Sequence, residues 1–106
     1  MNDRLPTGLV VGALLRRAND AGGIGVVLAR GDAQAGGLLV CIVDRAGATR
    51  VLERGVGPAG EPALIESNRS EDPQSYWQRR RGRDPDLWVI ELDVPSAERF
   101  AAETML

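Results

Sequence analysis

Apolar and polar positions alternate along the chain with two different periods. Between residues 7 and 21, Val11, Leu14, Leu15 and Ala18 recur at i, i+3, i+4 and i+7, while Arg16, Arg17, Asn19 and Asp20 face away. That spacing places the apolar side chains on one stripe of an amphipathic helix. Thr7, after Pro6, is predicted to cap its N-terminus. Gly22-Gly23 is predicted to end it, because glycine accepts the left-handed conformation that closes many helices.

The pattern then changes to strands. Residues 24–30 (IGVVLAR) are the first, followed by a turn of small and polar residues at 31–37. Residues 38–44 (LLVCIVD) are almost continuously apolar, which predicts a central strand buried on both faces. Asp44-Arg45-Ala46-Gly47 reads as a tight hairpin with Gly47 at positive φ. Residues 49–54 (TRVLER) carry more charge, so this third strand is expected nearer an edge. The short links predict antiparallel pairing, because a parallel crossover needs a dozen or more residues. Residues 55–62 are rich in Gly and Pro and read as a loop, and 63–67 (ALIES) as a short fourth strand.

Asp72-Pro73 has the form of an N-cap followed by proline at the first helical position. The predicted helix runs to Arg81, with Gly82 as its stop. In residues 87–94 (LWVIELDV), Trp88, Ile90, Leu92 and Val94 share one face and Leu87, Val89, Glu91 and Asp93 the other. Ser96 is expected to cap a last helix bearing Ala97, Phe100, Ala101 and Thr104 on one stripe. The expected fold is therefore α+β: a single domain, 1–106, with one mixed or mainly antiparallel sheet of four to five strands covered by helices. The order is α-β-β-β-(β)-α-β-α.

A chain of 106 residues can bury roughly 65% of the surface it exposes when unfolded, enough for one core. The net charge of −2 calls for neither a nucleic acid nor an anionic membrane. Cys41 is the single cysteine, so no intramolecular disulfide forms and a reducing compartment fits. The apolar stretch 9–15 is broken by Arg16 and Arg17, too early for a membrane span or secretion signal. A cytoplasmic protein without membrane attachment is expected.

The chain has no histidine and no lysine; all 13 basic residues are arginine. Ser-His-Asp and Cys-His catalysis, Schiff-base chemistry and a lysine-bearing phosphate loop are excluded within one chain. A zinc site needs several Cys or His ligands. Any general acid or base must be Asp, Glu, Tyr76 or Cys41. No cofactor is expected.

Two clusters remain. Arg79, Arg80, Arg81 and Arg83 form a cationic patch able to grip phosphates by bidentate contacts, with Tyr76 and Trp77 one turn earlier and able to stack on bases. The same arginines also complement the helix dipole, and Asp84 and Asp86 lie close enough to neutralise part of the patch. This cluster predicts a non-enzymatic binding or adaptor module for a phosphate-rich ligand or an acidic protein partner. The second cluster is Asp84, Asp86, Glu91 and Asp93. Carboxylates at i and i+2 on a strand project from one face roughly 6–7 Å apart and can hold Mg²⁺. This gives the alternative, a carboxylate-metal-dependent hydrolase or nuclease-like enzyme. Nuclease sites of that kind use a lysine, which the chain lacks, and the carboxylates also serve as turn caps and partners for arginines. Arg30-Gly31-Asp32 reads as turn chemistry rather than an adhesion motif. Cys41 reads as a small buried hydrophobe and Trp88 as a core anchor. A second copy of the chain is a further candidate partner, through a free edge of the third or last strand.

The residues also resemble a known family. Leu14-Leu15-Arg16-Arg17-Ala18 precedes Ala21-Gly22-Gly23, Val27-Leu28, Arg30-Gly31-Asp32 and Ala35-Gly36. Late in the chain come Asp84-Pro85-Asp86-Leu87-Trp88, Glu91-Leu92-Asp93 and Glu98-Arg99-Phe100. Together these resemble the alphaproteobacterial family known as domain of unknown function 1491, over nearly the whole chain. The Asp-Pro-Asp-Leu-Trp block is the most specific part. Many members carry lysine where Arg30 stands, and the segment 52–67 is short for the family pattern. The resemblance implies a length, a compartment and a source, and no mechanism.

Overall fold

Both inner strands, β2 (Leu38–Val43) and β5 (Trp88–Asp93), are buried on both faces along most of their length, and the layers of the molecule follow from that. A computed structural model describes residues 5–106. The remaining elements are α1 (Thr7–Asp20), β1 (Ile24–Ala29), β3 (Thr49–Val56), β4 (Pro62–Glu66), α2 (Pro73–Arg83) and α3 (Ala97–Met105). The strands form one five-stranded mixed sheet in the order β1-β5-β2-β3-β4. β2 and β5 are parallel, and every other pairing is antiparallel.

On one face, Val40, Ile42, Leu52, Trp88, Ile90 and Leu92 pack beneath Val11, Leu14 and Ala18 of α1 and Ala97 and Ala101 of α3. On the other, Leu39, Cys41, Val51, Leu87 and Val89 pack beneath Tyr76 and Trp77 of α2. The predicted stripe of α1, the two faces of 87–94 and the fourth strand are all present. Gly47 has φ +85° in the β2–β3 turn. No helix among the described residues is long and apolar enough to cross a membrane.

Four expectations are corrected. β1 and β2 are not a hairpin: β5 lies between them and pairs with both. The loop that joins β1 to β2 instead clasps the entry to β5, with Asp32 N donating to Asp86 O (2.9 Å) and Trp88 N to Gly37 O (2.9 Å). Consequently β3 and β5 are interior strands, and the sheet edges are β1 and β4. Gly82 does not stop α2, which continues to Arg83 with Asp84 as its C-cap. Thr7 and Ser96 make no side-chain caps. Thr7 is already helical and its hydroxyl donates to Gly36 O at 2.6 Å, while Ser96 lies at φ 64°. Asp72 does cap α2, accepting from Ser75 N at 3.0 Å, ahead of Pro73.

Candidate binding site

α2 carries the arginine row, and its seating on the sheet sorts the four arginines into two pairs. Tyr76 and Arg80 are one turn apart and face β3. Arg80 grips Glu53 with both guanidinium nitrogens, at 2.6 and 3.2 Å, and also donates to the Tyr76 hydroxyl. That hydroxyl donates in turn to Glu53 at 3.4 Å. Burial alone would raise the Glu53 carboxyl. The hydrogen bonds from Arg80, Ser67 and Tyr76 and the Arg80 charge outweigh it and hold the carboxyl below its ordinary value. Arg81 reaches the other way, donating to Arg30 O at 3.1 Å and to Pro85 O. Arg80 and Arg81 thus anchor α2 to β3 and to the loop before β5.

Arg79 and Arg83 are exposed on the flank of the helix beside Tyr76. Their i, i+4 spacing puts them about 6 Å apart on one face. Arg79 bonds Glu71 at 2.8 Å, with both side chains exposed. An ion pair so open to water is weak and exchanges readily. The Arg79 guanidinium also lies 5.3 Å from the Tyr76 ring centre. Tyr76 is buried, so its ring is core rather than a stacking platform. Trp77 is half-buried and borders an open groove of about 370 Å³ with Leu28, Cys41, Thr49 and Glu91.

The four carboxylates fall into two places. Asp84 and Asp86 precede β5 in an exposed turn, where Asp84 accepts from Asp86 N at 3.1 Å. Glu91 and Asp93 lie further along β5, opposite Val26 and Ile24 of β1. With the strand rising about 3.3 Å per residue, Asp86 and Glu91 are far too distant to share one ion. No group of three or more His, Cys, Asp or Glu suited to a metal occurs among the described residues.

The turn of Asp84 and Asp86 does close a different assembly. Gly31 and Gly36 pack directly on Asp86 O, where a Cβ would overlap it. The Trp88 indole donates to Asp32 O at 2.7 Å, and the Asp32 carboxylate accepts from Ala35 N at 2.8 Å. Arg30 lies over the Trp88 ring at 5.5 Å. Arg30-Gly31-Asp32, Ala35-Gly36 and Asp84-Pro85-Asp86-Leu87-Trp88 thus meet in one knot, and their chemistry is structural.

Two residues important to the site escaped the sequence reading. Glu53 had no signal that set it apart from Arg50 and Arg54, the other charges of its strand. Asn68 is buried; its side chain accepts from Val51 N at 2.9 Å and donates to Glu71 O at 2.8 Å, fixing the approach to α2. Cys41 is buried in β2, and desolvation, then the nearby Glu91 charge, pushes its thiol up to about 12. We expect Cys41 to resist alkylation by iodoacetamide at pH 8 until the protein is denatured. Rapid labelling of the native protein would contradict that burial.

Helices on both faces of this mixed sheet, with α2 bearing the surface arginines, define a small α+β protein. The chain belongs to the family of proteins of unknown function designated DUF1491, whose model it matches over residues 5–102. It is similar to a DUF1491 family protein from Caulobacter crescentus CB15. Against the crystal structure the identity is 34%, over 92% of this chain and 94% of that one, with a TM-score of 0.78. Against an NMR structure of a DUF1491 family protein from the same organism the identity is 35%, over 91% of each chain, with a TM-score of 0.74. A solution structure of protein Atu0922 from A. tumefaciens is 27% identical over 86% of each chain, with a TM-score of 0.65. No curated protein matches the chain.

Proposed function

We propose that the chain is a non-enzymatic binding or adaptor module that takes a phosphate-rich or acidic partner on the exposed flank of α2 that carries Arg79 and Arg83. One observation carries this reading: Arg80 and Arg81 anchor the helix, while Arg79 and Arg83 stand exposed one turn apart on its flank. A pair so spaced offers planar donors to one phosphate or carboxylate group without first ordering the helix. A buried, unpaired thiol suits a reducing, cytoplasmic setting.

The test is a titration with inorganic tripolyphosphate, a short single-stranded oligonucleotide and poly-glutamate, at low and moderate salt. The expected result is salt-sensitive binding that Arg79→Ala/Arg83→Ala weakens about tenfold and makes less salt-dependent, with the melting temperature held. No binding of any of the three by the parent protein would end the proposal.

A further inference from the structure

The two sheet edges differ. β4 is five residues long, opens on Pro62 and closes on Glu66, features that discourage pairing with another strand. β1 has neither the proline nor the charge, and only a register shift against β5 between Val27 and Ala29 interrupts it. Its six residues, Ile24–Ala29, carry no charge and no proline. Ile24 is 61% exposed, Val27 43%, Val26 39% and Leu28 38%. Ile24 and Val26 stand opposite Asp93 and Glu91, on the α2 face, and Leu28 borders the groove of that face. Val27 stands opposite Ile90, on the α1/α3 face. A helix laid on the open part of the α2 face would leave Val27 in water. A strand added at the edge flanks both faces at once.

We propose that β1 pairs antiparallel with β1 of a second copy of this chain, about a two-fold axis near Val26, so that one sheet runs through both copies. Antiparallel pairing of identical strands is self-complementary, as a two-fold interface requires. Directly opposed residues in such a pair share a face, so the axis passes through a residue rather than between two. With Val26 at the centre, Gly25 of each copy meets Val27 of the other, and Ile24 reaches the irregular turn of the strand at Leu28. The α2 face then gains a continuous apolar band from both strands. The charges select the direction. Exposed Asp20 and Asp93 lie at the start of β1, and Arg30 follows its end. Antiparallel pairing brings Arg30 of each copy to the acidic end of the other, whereas parallel pairing sets like against like. The flank of α2 that carries Arg79 and Arg83 lies toward β3, away from β1, so the dimer stands independently of the ligand proposed for that flank.

Sedimentation velocity over a concentration series, combined with cross-linking, tests this. The parent chain is expected to pass from monomer to dimer as concentration rises. Val26→Lys should remain folded by circular dichroism and stay monomeric, while Ile65→Lys on the β4 edge should still dimerise. Opposed residues at the centre have Cβ atoms about 4.5–5.5 Å apart, within reach of a disulfide. In a Cys41→Ala background, Val26→Cys should therefore give a disulfide-linked dimer under mild oxidation and Ile65→Cys should not. If Val26→Lys fails to fold, the cross-linking pair decides alone. A parent chain that is monomeric at every concentration overturns the proposal, as does a dimer that survives Val26→Lys or is linked only through position 65.

Discussion

Alanine at Gly36 is expected to destabilise the protein by about 3 kcal/mol, a fall of roughly 15 °C in Tm for a domain of this size. The reason is space rather than backbone conformation. A Cβ at this position would overlap Asp86 O and crowd Asp32 O and N. These are backbone atoms that cannot swing aside. Asp86 O is held by Asp32 N and Gly37 O by Trp88 N, so moving either strand end breaks the bonds that seat β5 between β1 and β2. Gly82→Ala is the matched control, because nothing lies within 4 Å of its added Cβ and it sits inside α2. There alanine should stabilise by about 0.5–1 kcal/mol through helix propensity. Thermal melts of both variants read the contrast. A loss below about 1 kcal/mol for Gly36→Ala would mean that the loop does not clasp the entry to β5 as described.

Arg80→Ala is expected to cost about 2 kcal/mol at pH 7, because it leaves the half-buried Glu53 carboxylate without its bidentate partner. The effect has a pH signature. In the parent protein Glu53 titrates below its ordinary value, about 4.3 in an unfolded chain. A carboxyl depressed in the folded state contributes stability that is present above the unfolded value and lost as pH falls through the folded one. Without Arg80, burial is opposed only by the hydrogen bonds from Ser67 and Tyr76, and the carboxyl moves upward from its value in the parent. The variant then lacks the stability that the parent gains as pH rises through the carboxylate range. The gap between parent and variant should therefore be widest near neutrality and narrow progressively as pH falls below the ordinary carboxylate value. Urea denaturation at pH 7 and at pH 3.5 measures it. A gap of the same size at both values would assign the loss to lost packing of the Arg80 stem rather than to the ion pair.

These two results separate the arginines by task. Arg80 and Arg81 are part of the fold, and their removal should register in stability. Arg79 and Arg83 are free of that duty, and their removal should register in binding. In the sequence the four are one run. Only the phase of the helix against β3 and the β5 loop divides them, and that phase depends on Glu53 and Arg30, residues far away in the chain.

Local patterns along the chain determined the elements and their faces. The 3.6-residue spacing of Val11, Leu14 and Ala18 marks the buried side of α1, and the alternation in 87–94 assigns Trp88, Ile90 and Leu92 to one core and Leu87 and Val89 to the other. Asp72-Pro73 and Gly47 mark a cap and a turn through chemistry confined to a few neighbouring residues. Such signals are legible because each depends on a repeat or a dihedral preference within a short window. The family resemblance rested on Arg30–Asp32 and Asp84–Trp88 without showing that these segments touch. Tertiary structure alone decided that β5 enters between β1 and β2, that β1 and β4 rather than β3 and β5 form the edges, and that Thr7 spends its hydroxyl on Gly36 instead of capping its own helix. The physical reason is that strand order and cap choice are settled by competition among partners distant in sequence. A hydrophobic period specifies which face a residue buries, and it carries no information about which strand will lie beside it.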